Sequence, residues 1–153
     1  ALASGAVDAA SSVEPFITLT AKNKSAHLLV RDSETMPNLE VAVLMFGERL
    51  SGPDRATGVK FLRGYVKAIR YMHEALKDQA KAKDVAAIMQ KHLPLKDPAL
   101  YEHMGWPMAR PDASVNRASL QEQLDWYVKR GLVRDKPNLD AFIDTSLVTD
   151  AAK

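Results

Sequence analysis

Cysteine is absent from these 153 residues, which excludes disulfides, thiolate metal sites and cysteine nucleophiles within them. A bias of charge toward one sign is missing as well. The 21 Lys and Arg stand against 19 Asp and Glu, mixed along the chain, for a formal net charge of +2. That balance speaks against a nucleic-acid groove or a polybasic membrane surface as the main business. The basic residues between Lys77 and Lys83 are interrupted by Asp78 and read as a solvated helix end or linker. No apolar run approaches the length of a membrane span, and no basic-then-apolar leader stands at the start. Internal repeats and low-complexity tracts are also lacking. No Gly-rich phosphate loop, Ser/His/Asp order or paired-carboxylate spacing stands out. The 4 histidines, His27, His73, His92 and His103, are scattered with no i,i+4 partner and no Glu-x-x-His pattern, so no metal and no cofactor are expected.

What is present is ordinary for a soluble globular chain: 46% hydrophobic and 26% charged residues, at a length that fits one domain or one lobe plus part of another. The opening stretch is the most informative. Ala1 and Leu2 read as the last turn of a helix stopped at Gly5, the residue type that takes φ > 0 without a Cβ penalty. Residues 6–10 then read as a short apolar strand, Ser11 and Ser12 as a polar break, and Glu14-Pro15 as the entry to a helix over 14–21. With no initiator Met and only a helix stub before the strand, the expectation is a cut piece of a longer protein.

Two more strands are expected. Residues 26–30 (Ala-His-Leu-Leu-Val) follow a polar break, and residues 39–46 (Leu-Glu-Val-Ala-Val-Leu-Met-Phe) are nearly continuous in apolar character, as in strands covered on both faces. Residues 31–38 between them read as a connector or hinge. After Gly47 the pattern turns helical. Ser51-Gly52-Pro53-Asp54 is a start signal, and Val59, Leu62, Val66, Ile69, His73 and Leu76 recur at helical spacing, giving a long amphipathic helix over 53–78. Shorter helices are expected over 84–92, stopped before Pro94, and over 97–104, with Asp97 capping and Pro98 in the first turn. Residues 105–112 form a turn-rich loop. A helix over 116–130 carries Leu120, Leu124, Tyr127 and Val128 on one face and stops at Gly131. A last helix starts at Asn138 or Asp140 with Phe142, Ile143 and Leu147 inward. Trp106, Trp126, Tyr127 and Phe142 read as core aromatics. The fold class on this reading is α/β with a helix-rich C-terminal portion. Three buried strands alone would leave unpaired edges, so a missing N-terminal lobe or a second copy is needed to complete the sheet.

Several motifs together resemble the solute-binding proteins of ABC importers, of the nitrate/sulfonate/taurine and thiamine-precursor type. Ala1-Leu2, Gly5, Val7-Asp8-Ala9 and Glu14-Pro15-Phe16 match the family's helix end, strand and helix start. The stretch from Phe61-Leu62 through Tyr65 and Ala68 looks like its long helix, and Leu120 through Trp126 to Gly131 like a later one. Ile143-Asp144-Thr145-Ser146-Leu147-Val148 fits its last helix. The resemblance implies a type II periplasmic-binding-protein fold of two α/β lobes. Residues 1–38 would end the second lobe, 39–46 form the crossover strand returning to the first, and 47–153 supply the helical portion of the first. It further implies a small-molecule solute, a membrane permease as partner, no nucleic acid, no catalysis, and a periplasmic or exported and lipid-anchored location.

On that template the ligand residues are Ser11, Ser12, Val13 and Glu14, at the strand-to-helix turn where open α/β sheets bind ligands. The serine hydroxyls and the Val13 and Glu14 amides suit an anion such as nitrate or sulfonate. Two readings stay open for two of these residues. Ser12 is a helix N-cap or a ligand contact, and Glu14 binds a cationic group or complements the helix dipole. Arg110 reaches the cleft, the transporter or solvent. The same superfamily offers two alternatives, a thiamine-pyrimidine-precursor synthase-like enzyme and a regulator's effector-binding domain. The first is weakened by the missing cysteines, and the second by the long helical half.

Overall fold

The computed structural model describes residues 1–93, 95, 97 and 99–153. The elements in chain order are a 3-10 turn at Leu2–Ser4 and then α1 (Phe16–Lys22), α2 (Asp32–Thr35), α3 (Glu48–Ser51), α4 (Arg55–Ala75), α5 (Gln79–His92), α6 (Ala99–His103) and α7 (Arg117–Lys129). A second 3-10 turn at Leu139–Ala141 precedes α8 (Ser146–Ala152). Helix accounts for 54% of the described residues, which form no strand.

The α/β expectation, and with it the two-lobed type II periplasmic-binding fold, is therefore overturned, since that fold needs a sheet. The crossover strand over 39–46 and the strands over 6–10 and 26–30 do not form. The reason lies in where the buried area is found. Buried apolar side chains sit on α4 (Leu62, Val66, Ile69, Ala75), α5, α6, α7 and α8, with Met104 directly after α6. None comes from the three apolar runs, whose Leu29 and Met45 are 84% and 85% exposed. A strand exists through its ladder partner, and an apolar run without one has no satisfied backbone to bury.

The chain divides into two compact units, which we describe separately. The first comprises Ala1–Arg31 and Ile69–Ala109. Its core joins Ala86 of α5, Tyr101 of α6 and Met104, with Met89, Leu95 and Trp106 packed around them. Tyr101 is fully buried, and its hydroxyl donates to the Leu93 carbonyl (3.1 Å) and accepts from the Leu95 amide (3.1 Å). The Trp106 indole N–H donates to the Tyr101 carbonyl (3.4 Å). Asp78 caps α5 through the amides of Ala80 and Lys81 (2.9 and 3.2 Å), so this helix starts before residue 84 and the preceding one ends before 78. Asp97 accepts from the Ala99 amide (3.1 Å) as expected of a cap and pairs with Lys22 of α1. These contacts, the Lys22 hydrogen bond first, hold the Asp97 carboxyl below its usual range. The expected roles of Pro94 and Pro98 lie outside the described residues.

The second unit comprises Asp32–Ala68 and Arg110–Lys153. Leu62 of α4 and Leu147 and Ala151 of α8 form its buried cluster, flanked by Phe46, Val59, Tyr65 and Val148. Gly58 lets the chain pass close here, because a Cβ on it would lie 2.7 Å from the Leu50 carbonyl oxygen and 3.0 Å from a Leu147 methyl. Arg55 fastens α8 with hydrogen bonds to Ser146 Oγ (3.0 Å) and Asp150 Oδ2 (2.8 Å). The start expected at Asn138 is a 3-10 turn, capped by the Asn138 side chain on the Asp140 amide (3.0 Å). The helix proper begins at Ser146, so Phe142 lies outside it and is exposed rather than inward. Trp126 and Tyr127 are likewise exposed, their rings meeting edge to face at 5.3 Å with Arg130 over the indole.

Candidate functional site

Ser11, Ser12, Val13 and Glu14 form an irregular segment that runs into α1. The Val13 carbonyl accepts from the amides of Phe16 (3.0 Å) and Ile17 (3.4 Å) and so starts the first turn. Pro15, without an N–H, stands immediately before the helix. The Glu14 side chain folds forward onto α1. Its Oε2 accepts from the Thr18 amide (3.1 Å), and its Oε1 accepts from the Gly105 amide at the start of the 105–112 loop (3.2 Å). The carboxylate is thus occupied by two backbone donors, the helix-entry role and not that of a free anion. Capping by Ser12 is not what forms here, since α1 has no side-chain cap.

The remaining groups of the turn differ in character. Ser11, Ser12 and Val13 are exposed. Among the described residues, neither serine hydroxyl nor any of the four amides from Ser11 to Glu14 donates a hydrogen bond. Each hydroxyl supplies one donor and each amide another. The turn therefore presents a short strip of open donors, while its one negative group is engaged on the side of α1 and Gly105. Chemically, such a strip can solvate an oxyanion. Gly105 is the residue the sequence reading did not connect to the turn. The signal available was an acid directly before proline at a helix start, whose side chain reaches any amide presented nearby.

A second polar cluster was missed and lies wholly in the second unit. Glu40 Oε2 accepts from Arg110 Nη1 (2.8 Å) and from the Asn116 amide (2.6 Å). The Glu40 amide donates to Ser119 Oγ (2.9 Å), and its carbonyl accepts from Gln123 Nε2 (3.0 Å). Asn116 caps α7 through the Ser119 amide (3.2 Å) and donates its side-chain N–H to the Asn38 carbonyl (2.8 Å). Arg110, read from sequence as reaching a cleft or solvent, lies on Glu40 and on the Ser114 carbonyl (3.2 Å). Every one of these polar groups has a protein partner, so the cluster is a clamp holding residues 38–40 on α7. A lone acid inside an otherwise apolar run was the signal that could have found it.

The histidines do not converge. His73 donates to the Ala109 carbonyl (2.8 Å), and His27 lines a shallow, open depression with Lys24, Ser25 and Leu28. Among the described residues, no group of three or more His, Cys, Asp or Glu could hold a metal ion, and no helix is long and apolar enough to cross a membrane. Comparison with known proteins finds no family model, no curated protein and no solved structure that matches this chain.

Proposed function

We propose that this chain is a non-enzymatic, substrate-binding component of an ABC importer. It captures a small anionic solute of the nitrate or sulfonate kind for delivery to a membrane permease, and it works in the periplasm or exported and lipid-anchored. The observation that carries the reading is the strip of open donors from Ser11 to Glu14, with the Glu14 carboxylate already engaged by Thr18 and Gly105. The ordered sequence resemblance from Ala1 to Val148, which also pointed to this turn, favours the transport role. The turn contacts its solute from one side. Affinity then rests on a few charge-assisted hydrogen bonds in full competition with water. A dissociation constant on the order of 1 mM, about −4 kcal/mol, is the expectation for the chain by itself.

Titration of the ¹⁵N-labelled chain with nitrate, taurine and ethanesulfonate, followed by amide chemical shifts, tests this. Saturable shifts confined to residues 11–14 and Gly105, lost in Ser11→Ala/Ser12→Ala, are expected. Unmoved amides at 11–14 with all three anions, or shifts that the double variant leaves intact, would sink the reading.

A further inference from the structure

We propose that the C-terminal end of α7 docks on a bilayer surface rich in anionic phospholipid, through Trp126, Tyr127, Leu132 and the cations among them. The helix ends in a Schellman turn. Gly131, at φ 70°, donates to the Val128 carbonyl (2.9 Å), and the Leu132 amide donates back to the Tyr127 carbonyl (2.9 Å). Leu132 is thereby held against the Tyr127 backbone, with its side chain 65% exposed. Trp126 and Tyr127 are exposed as well, their ring centroids 5.3 Å apart, and the Arg130 guanidinium stands 5.2 Å from the indole centre. The buried cluster of this unit uses none of these side chains.

Charge selects the partner. Residues 125–136 hold Lys129, Arg130, Arg134 and Lys136 against Asp125 and Asp135. Their excess equals the +2 of the entire chain, so the charges elsewhere balance. Asp125 is taken up by Lys136 (2.5 Å) and Gln121 (2.9 Å). Lys129, Arg130 and Arg134 form no ion pair among the described residues. Tryptophan and tyrosine favour the headgroup level of a bilayer, where one end of the ring is apolar and the other wet. Lysine and arginine beside them meet lipid phosphates, each strengthening attachment about fivefold. The bare leucine enters the acyl boundary. Stacked bases are the poorer fit. Arg130 covers one face of the indole, and the two rings meet at 83°, so no pair of parallel ring faces is offered to a nucleic-acid strand. Three cations and one leucine make a weak attachment that salt screens. It stands apart from the solute-binding reading, whose turn belongs to the other unit.

Cosedimentation of the full chain with lipid vesicles tests the docking. Vesicles of roughly two parts phosphatidylcholine to one part phosphatidylglycerol should bind about tenfold more tightly than phosphatidylcholine alone. Raising salt from about 0.05 M to about 0.5 M should remove the difference. In bicelles of the same anionic mixture, a spin-labelled lipid should broaden the amide signals of 126–134 most. Arg130→Gln/Arg134→Gln should weaken binding about twentyfold, and Leu132→Ser about tenfold. Lys77→Gln/Lys83→Gln, which removes the same charge from the other unit, should leave binding within about threefold. Equal binding to neutral and anionic vesicles, or binding to neither, would overturn the proposal. So would broadening centred outside 126–134, or a loss in the Lys77/Lys83 variant as large as in the Arg130/Arg134 variant. A single-stranded oligonucleotide that held these residues more tightly than the vesicles would overturn it too. Salt response and broadening are read on the unmodified chain, so they decide the matter even where a variant fails to fold.

Discussion

Replacing Glu40 by alanine should loosen the attachment of residues 38–40 to α7 more than any exposed ion pair in the molecule would when broken. One carboxylate oxygen accepts from both Arg110 (2.8 Å) and the Asn116 amide (2.6 Å), and the Glu40 side chain is only 15% exposed. Exposed ion pairs contribute about 0.2–1 kcal/mol, whereas hydrogen bonds to a charged group contribute about 1.5–3 kcal/mol each. Arg110 keeps the Ser114 carbonyl as a second acceptor, so its loss is partial. The Asn116 amide keeps no other acceptor among the described residues. The expected cost of Glu40→Ala is about 2–3 kcal/mol. Arg110→Ala, which leaves the Asn116 bond in place, should cost about 1 kcal/mol. The double variant should lie close to Glu40→Ala, a coupling of about 1 kcal/mol between the two sites. Urea unfolding followed by fluorescence, with hydrogen exchange at residues 38–40 and the first turn of α7, measures all three. A Glu40→Ala variant within about 0.5 kcal/mol of the parent, or strictly additive single costs, would refute the clamp.

Gly58→Ala should destabilise despite alanine's better helix propensity. The gain is about 1 kcal/mol, but the new Cβ would meet the Leu50 carbonyl at 2.7 Å and Leu147 at 3.0 Å, an overpacking cost of about 1–3 kcal/mol. A raised melting temperature would contradict this contact. Tyr101→Phe should cost about 1–3 kcal/mol, since it strips the Leu93 carbonyl and Leu95 amide of a buried partner, and faster exchange at the Leu95 amide is the local readout. The docking of α8 should weaken in acid. Hydrogen bonds from Arg55, then Lys153, lower the Asp150 pKa, and the Ser146 hydroxyl, then its amide, lower that of Asp144. Groups with depressed folded pKa values contribute stability above the unfolded carboxylate value of about 3.9 and lose it as pH falls through the folded one. Melting temperature should therefore drop below about pH 4, and Asp150→Asn should flatten that drop; an unchanged profile would count against the Arg55 attachment.

Helices were legible in the sequence because their signals are local. The stripe through Leu62, Val66 and Ile69 announces α4, and Asp97 and Asn116 cap where their positions suggest. Gly5 and Gly131, both at φ 70°, stop the turns before them. Strands were not legible in the same way. An apolar run such as 39–46 states that it suits a strand but not whether a partner exists, and here the helices hold the buried area without it. The turn at 11–14 reads in the sequence as a strand-to-helix turn; the strand before it does not form, and the helix entry does. Pro15 and Glu14 mark the entry, yet the partner of Glu14 is Gly105, 91 residues away, and no spacing rule connects the two. Glu40 and Arg110 were invisible as a pair for the same reason, being 70 residues apart.

The central claim is that helices carry the buried core while residues 6–10, 26–30 and 39–46 remain without ladder partners in the single chain. Backbone chemical shifts and NOEs of the labelled protein test that claim directly. Helical shifts are expected over Arg55–Ala75, Gln79–His92 and Arg117–Lys129, with no cross-strand NOE from any of the three runs. Cross-strand NOEs joining any of them into a ladder within the monomer would contradict it.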